Sequence, residues 1–153
     1  MKPIEVQAAM AEAVGEVLET MCFTAVLSSS DAAIPMTPEC KCLIAALRFE
    51  GGCEGEFRVC IPMALARQIG AGFLGEDEEE ISDVQAGEFV CELGNMFCGS
   101  ALSRLEPETI FHLSHPELIP GNADAVFDDR RIGRWFELEE GNLAASMDFR
   151  QGL

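Results

Sequence analysis

The chain has 153 residues, 48% of them hydrophobic, so it can bury one core, and we expect residues 1–153 to form a single domain. Its formal net charge of −17, from 27 acidic and 10 basic residues, argues against nucleic acid and anionic membranes as partners. The first residues contain no apolar run, and no later stretch approaches the roughly 18 apolar residues of a spanning helix. We therefore expect a cytoplasmic protein.

The first half of the chain predicts a long helix, a strand hairpin and a shorter helix. Residues 4–23 carry apolar side chains three and four apart, as an amphipathic helix requires. The stretch Ser28–Pro38 is rich in serine, proline and threonine, which is typical of a loop. Strands are predicted at Cys42–Phe49 and Glu56–Ile61, around a glycine-containing turn. The helix Met63–Leu74 follows and ends at a glycine.

The second half predicts another long helix followed by strands. After the acidic linker Glu76–Glu80, either Ser82 or Asp83 can cap a helix that extends to about Leu105, because Pro107 prevents much further extension. The last two of the predicted strands flank a turn that contains Gly and Asn, which favours a hairpin. The four predicted strands are Thr109–Leu113, Ala123–Asp128, Trp135–Leu138 and Leu143–Phe149.

The two halves have the same order of elements, because each opens with a long helix and continues into antiparallel strands. Local similarity between Glu16–Phe23 and Glu92–Gly99 supports an internal repeat. The predicted fold class is α+β, with an antiparallel sheet packed against long helices and a pseudo-repeat of two helix-plus-strands halves.

The second long helix combines an apolar face with a narrow polar strip. Asn95 and Gly99 are unfavourable inside a helix, by several tenths and about 1 kcal/mol relative to alanine, which indicates a role other than helix stability. Gly99 would leave space beside Asn95 for an approaching surface; alternatively, Gly94 and Gly99 permit close packing of helices. Arg104 falls toward the apolar side, so either the helix ends earlier or the guanidinium reaches past the core. The strip consists of Gln85, Glu88, Glu92, Asn95, Gly99 and Ser103.

The segment Glu92–Gly99, followed by Leu102 and Pro116–Gly121, resembles the signature of the CheC, CheX and FliY family of chemotaxis phosphatases, and its single copy resembles CheX. This resemblance implies hydrolysis of the aspartyl phosphate of a CheY-like response regulator. Glu92 would pair with a lysine of the regulator, and Asn95 would position the attacking water.

The resemblance also implies the remaining site residues, the cofactor and the assembly. Glu88, Gly99 and Ser103 are expected to contact the regulator, although the family pattern has Asp or Ser where Glu88 stands. Magnesium is expected in the regulator, so this chain would need no metal or cofactor of its own. By analogy the chain would form a homodimer.

The first helix has a different pair at the place that matches the predicted site. There Glu16 is followed by Glu19, and a carboxylate offers no N–H donor where an asparagine would be required. We therefore expect one site per chain.

Two alternative functions remain. The first is a CheX-like binding module that docks on a response regulator or a deamidase without hydrolysing anything. The second is a thiol-based metal or redox protein, which would need Cys40 and Cys42 to converge with His112 and His115. The cysteines lack the Cys-x-x-Cys spacing of zinc sites, and we interpret them as small buried hydrophobic residues in a reducing compartment. They are Cys22, Cys40, Cys42, Cys53, Cys60, Cys91 and Cys98.

Overall fold

The structure is a computed structural model that describes residues 2–32, 41–128 and 130–150, and within these ranges three α-helices pack on one face of a seven-stranded antiparallel sheet. The predicted α+β class is therefore confirmed. None of the helices in these ranges is long and apolar enough to cross a bilayer. The helices are α1 (Pro3–Cys22), α2 (Met63–Leu74) and α3 (Asp83–Leu105). The strands are β1 (Val26–Ser30), β2 (Cys42–Glu50), β3 (Glu54–Pro62), β4 (His112–Leu113), β5 (Glu117–Ile119), β6 (Ile132–Leu138) and β7 (Asn142–Phe149).

The order of the strands shows the predicted internal repeat. Across the sheet the order is β1-β6-β7-β3-β2, and both β4 and β5 pair with the outer side of β2. Exchanging β1 with β5, β2 with β6 and β3 with β7 only reverses this order. The two halves are therefore related by a pseudo-twofold axis between β3 and β7, which pair antiparallel from Gly55↔Phe149 to Cys60↔Ala144.

The main core lies between the helices and the sheet. Alternate residues of β2, β3 and β7 point toward the helices, as the strand period of two requires. They meet the apolar stripes of α1 and α3, which also pack on each other. Because burying one such large side chain contributes about 1.5–3 kcal/mol, α3 is held in one rotational orientation. The largest fully buried side chains of this core include Met10, Leu18, Phe49, Phe57, Leu93, Phe97, Leu102, Phe136 and Met147.

A smaller core covers the opposite face, and here one prediction is wrong. The predicted strand Ala123–Asp128 instead begins with a turn of 3-10 helix at Ala123–Val126. Asn122 starts this turn, because its side-chain oxygen accepts a hydrogen bond from the backbone N–H of Asp124 at 2.9 Å. The segment then packs on the sheet, and the ring of Phe127 stacks on Trp135 with centroids 4.6 Å apart.

The serine-rich stretch after α1 is also different from its prediction. Its beginning belongs to β1, which pairs antiparallel with β6 at the edge of the sheet, so the predicted loop is wrong at Ser28–Ser30. Arg134 of β6 donates a hydrogen bond to Ser29 Oγ at 3.1 Å, so a serine side chain also links β1 to its neighbour. Residues 33–38 of this stretch, and Cys40 beyond it, lie outside the described residues.

Most of the other elements are confirmed. The hairpins β2–β3 and β6–β7 pair antiparallel as predicted, and α2 ends at Gly75, which has the left-handed φ of 69°. The predicted strand Thr109–Leu113 shortens to β4, and the sequence did not predict β5. Pro116 lies between these two short strands, where its missing N–H interrupts the pairing with β2.

Candidate functional site

Helix α3 begins at a capping box that fixes its first turn. The hydroxyl of Ser82 accepts a hydrogen bond from the backbone N–H of Gln85 at 3.1 Å, and the Gln85 side chain accepts one from the N–H of Ser82 at 2.9 Å. Ser82 was one of the two predicted caps. Gln85, which was predicted only as part of the polar strip, therefore has a structural role at the helix terminus.

The predicted separation of α3 into two faces is confirmed. Glu88, Glu92 and Ser103 are exposed, and Gln85, Asn95 and Gly99 are partly exposed. On the other side the helix is buried, with the exception that Met96 is only partly buried against the main core. The buried residues are Ala86, Gly87, Phe89, Val90, Leu93, Gly94, Phe97, Cys98, Ala101 and Leu102.

A groove of about 700 Å³ runs along the polar strip, between α3 and the segment 113–118. It brings together three predicted site residues, Glu88, Glu92 and Asn95. The other two, Gly99 and Ser103, lie further along the same helix face and do not line it. From α3 the groove is lined by Asp83, Val84, Gly87, Glu88, Cys91, Glu92 and Asn95, and from the second wall by Leu113, Ser114, His115, Pro116 and Leu118.

The second wall of the groove, residues 113–118, is anchored to the sheet. The N–H of Ser114 donates to the carbonyl of Arg48 at 2.8 Å, and the N–H of Arg48 donates to Ser114 Oγ at 2.8 Å. At the other end of the wall Leu118 lies directly against Gly87, where a Cβ would be only 2.8 Å from Leu118 Cδ1. Helix α3 and a sheet-anchored segment therefore form the two walls of the groove that Glu88, Glu92 and Asn95 line.

Sequence reasoning noted the proline segment as part of the family signature but did not identify Ser114 or His115 as groove residues. Their position depends on pairing with β2, which lies 66 residues earlier in the chain, and no local pattern encodes it. The sequence also gave no indication that Val84 and Cys91 face the groove.

The charges around the groove differ in how they are paired. Asp83 forms an ion pair with Arg67 of α2. Among the residues that the structure describes, no ion pair is recorded for Glu88 or Glu92, so these two carboxylates face solvent as a negatively charged ridge. Burial, together with the charge of Glu88, raises the pKa of Cys91, so this groove cysteine is a neutral thiol near pH 7 rather than a nucleophilic thiolate.

The interpretation that the α3 glycines permit close packing of helices is wrong. A Cβ on Gly94 would meet side chains of the sheet, with Val59 Cγ1 at 3.5 Å, and one on Gly99 would meet Leu113 Cδ1 at 3.8 Å. Neither glycine lies against another helix.

The Arg104 guanidinium reaches past the core, which confirms one of the two alternatives predicted for this residue. Helix α3 continues to Leu105, and the Arg104 guanidinium forms ion pairs with Glu16 and, at 3.4 Å, with Glu12 of α1. Glu16 is the residue that matches Glu92 in the internal repeat, so the matching place on α1 is occupied by a salt bridge.

No disulfide joins the cysteines of the described ranges, and Cys22, Cys60 and Cys98 are buried. Burial raises the pKa of the Cys22 thiol to about 11 and raises that of Cys98 as well. No cluster of three or more metal-ligating side chains occurs in the part of the chain that the structure describes. Cys42 is the first residue of β2, whereas His112 pairs with Glu50 at the other end of that strand, so these two residues of the hypothetical thiol site do not converge.

Comparisons with known proteins point to one family. The family model described as chemotaxis phosphatase CheX matches residues 43–131, which is more than half of the chain and includes α3 and both walls of the groove. No curated protein matches the sequence.

Solved structures with the same fold include three CheX proteins. The chemotaxis protein CheX from Vibrio vulnificus is 20% identical with a TM-score of 0.74, over 98% of this chain and 99% of that one. CheX from Desulfovibrio desulfuricans is 19% identical with a TM-score of 0.70, over 95% and 99%. The CheX in the CheX–CheY–BeF3–Mg²⁺ complex from Borrelia burgdorferi is 16% identical with a TM-score of 0.68, over 94% and 97%.

Proposed function

The chain belongs to the CheX family of chemotaxis phosphatases, and from this membership we propose that it hydrolyses the aspartyl phosphate of a CheY-like response regulator. Glu92 and Asn95 carry the proposal, because they stand one turn apart on the exposed face of α3 and line one groove. The Borrelia burgdorferi complex, in which a CheX is bound to a CheY, supports a regulator of the same class as the partner.

Hydrolysis of an aspartyl phosphate makes a limited chemical demand on the phosphatase. A water attacks phosphorus, the bond from phosphorus to the acyl oxygen breaks, and inorganic phosphate leaves a free aspartate on the regulator. The acyl phosphate is already reactive, so the phosphatase needs no nucleophile of its own. What remains is to hold the water in line with the breaking bond, which is a positioning task.

Asn95 has the groups for this positioning task. A carboxamide can accept a hydrogen bond from the water through its oxygen and donate another through its NH₂ group. Asn95 is partly exposed on a helix whose opposite face is buried, so its side chain is presented from a rigid support. Its proposed role is similar to that of the water-orienting glutamine of small GTPases.

Glu92 is the proposed anchor for the regulator. Its exposed carboxylate can form a charge-assisted hydrogen bond with a lysine beside the phosphoryl group, which would fix the register of the complex and the position of Asn95. Glu88, Gly99 and Ser103 on the same face are proposed to contact the regulator. In this proposal magnesium is held by the regulator and neutralises charge on the transferring phosphoryl group.

The decisive experiment replaces Asn95 with alanine. Asn95→Ala should keep regulator binding but lower the rate of phosphate release by two to three orders of magnitude, or about 3–4 kcal/mol at 1.36 kcal/mol per decade. Phosphate release from a phosphorylated CheY-like regulator measures this effect. Gln7→Ala, which removes a partly exposed amide from α1, is the matched control. Undiminished hydrolysis by the Asn95 variant would show that another residue positions the water, whereas binding without phosphate release by the parent chain would show that it is a binding module.

A charge reversal at Glu92 tests the anchor separately. Glu92→Lys should prevent complex formation, because a lysine would repel the cation that Glu92 is proposed to bind. A titration of the regulator, loaded with beryllofluoride and Mg²⁺, measures the affinity. Glu19→Lys makes the same charge change on the exposed face of α1 and should leave the affinity within about twofold. Equal affinities of the two variants would contradict the anchor role.

The expected homodimer is a further part of the proposal. The outer edge of β1 pairs with no strand among the described residues, and such an edge offers unpaired backbone groups to a second copy. Sedimentation of the purified chain over a range of concentrations measures the oligomeric state.

A further inference from the structure

The groove has an apolar end that the proposed chemistry does not use. Val84 in the first turn of α3 is 70% exposed, and Leu118 of β5 is 47% exposed, although both are large hydrophobic residues. They lie on the two walls of the same groove. Because exposed apolar side chains that adjoin one another in a concave site favour contact with a partner, this end of the groove is a candidate docking surface.

The two walls run in opposite directions, which places the apolar end far from Asn95. Gly87 lies against Leu118, whereas Gly99 lies beside Leu113. Leu118 therefore closes the groove at the Val84 end, and Leu113 lies toward the Asn95 end. Along α3, Val84 and Asn95 are separated by eleven residues at about 1.5 Å each, or about 16 Å.

The carboxylates between these two ends define the charge of the partner. Glu88 and Glu92 lie between Val84 and Asn95 along the helix, while Asp83 at the apolar end is paired with Arg67. The exposed charge along the groove is therefore negative, in a chain whose net charge is −17. A complementary surface would present cations opposite the two glutamates and an apolar side chain at the far end.

We propose that the apolar end of the groove, formed by Val84 and Leu118, binds an apolar side chain on the receiver domain of the response regulator, about 16 Å along α3 from Asn95. This inference rests on the proposed function and adds a determinant of partner choice to it. The contact would contribute equally to the ground state and the transition state, because it is remote from the reacting atoms. Such uniform binding lowers KM and leaves kcat unchanged.

Steady-state phosphate release tests this contact with charged substitutions. Val84→Glu and Leu118→Glu should each raise KM for the phosphorylated regulator about tenfold or more and keep kcat within about twofold. Ile4→Glu is the matched control, because Ile4 is the second residue of α1 as Val84 is of α3 and is 74% exposed. It should change neither parameter. Circular dichroism of each variant confirms that the helices are retained.

Other outcomes would overturn the inference. An unchanged KM in both charged variants would show that the regulator does not reach this end of the groove. A fall in kcat at unchanged KM would place the effect in the chemical step instead. If the variants convert a dimer into monomers and leave KM unchanged, the apolar end is a contact between two copies of this chain.

Failure of the proposed function would be recognised separately. If Asn95→Ala hydrolyses the phosphoryl group normally, its assigned role is wrong, but titration of the beryllofluoride-loaded regulator still measures binding. In that titration Val84→Glu and Leu118→Glu should weaken affinity about tenfold, and Ile4→Glu should not. Equal affinities of all three variants would overturn the apolar contact alone.

Discussion

At the scale of single residues, Gly99 illustrates how the residue type at a position can depend on a partner rather than on the fold. It lies one turn beyond Asn95, and a Cβ built on it would be 3.8 Å from Leu113 Cδ1, which is an ordinary contact distance. The fold therefore has room for alanine, yet glycine in a helix costs about 1 kcal/mol relative to alanine. Because packing does not require this loss of helix stability, Gly99 supports the proposal that the surface beside Asn95 must stay accessible to the regulator.

Gly99→Ala should therefore stabilise the protein and weaken its complex. We expect the free energy of unfolding to rise by about 0.5–1 kcal/mol in urea denaturation, and the affinity for the beryllofluoride-loaded regulator to fall. Gly15→Ala on α1 is the control, because nothing lies within 4 Å of a Cβ at Gly15. It should give a similar gain in stability at unchanged affinity. A Gly99 variant that is more stable and binds equally well would argue against a contact at this position.

At the scale of elements, the sequence could predict the features that depend on local signals but not those that depend on long-range contacts. The bounds of α3 were predictable because Ser82 and Gln85 form a local capping box and Pro107 follows the last turn. The second wall of the groove was not, because its position depends on hydrogen bonds between Ser114 and Arg48, 66 residues apart. The edge strand β1 was missed for a related reason, since its serines lack the alternation of a half-buried strand.

The capping box makes the first turn of α3, which carries Val84, dependent on the hydroxyl of Ser82. Ser82→Ala should lower the free energy of unfolding by about 1 kcal/mol, because the N–H of Gln85 loses its acceptor. Urea denaturation at constant m-value measures this change. Ser82→Asp should restore most of the stability, since aspartate also caps helices. Ser103→Ala at an exposed helix position should stay within about 0.5 kcal/mol of the parent.

At the scale of the whole molecule, the pseudo-twofold repeat provides two related helices but places the proposed chemistry on only one. On α1 the matching residues are Glu16 and Glu19, which are both exposed carboxylates. Arg104 of α3 pairs with Glu16, so the carboxylate that matches Glu92 is engaged within the chain. The repeat was predictable from the local similarity of the two helices, whereas this salt bridge was not, because it joins residues 88 apart.

One chain should therefore bind one regulator. Isothermal titration of the chain with beryllofluoride-loaded regulator should give a stoichiometry of one per chain, whatever the oligomeric state. Glu92→Lys should abolish that single binding event rather than reduce the stoichiometry from two to one. A residual site in the Glu92 variant would place a second docking surface elsewhere on the molecule.

The strand order has a consequence for how copies of this chain can assemble. The groove adjoins β4 and β5 at one margin of the sheet, and β1 forms the opposite margin, about five strand spacings or roughly 24 Å away. Two chains joined along β1 would form one continuous sheet with a groove at each outer end. Two receiver domains could then be bound at once without touching each other, so such a pairing would give the dimer two accessible grooves.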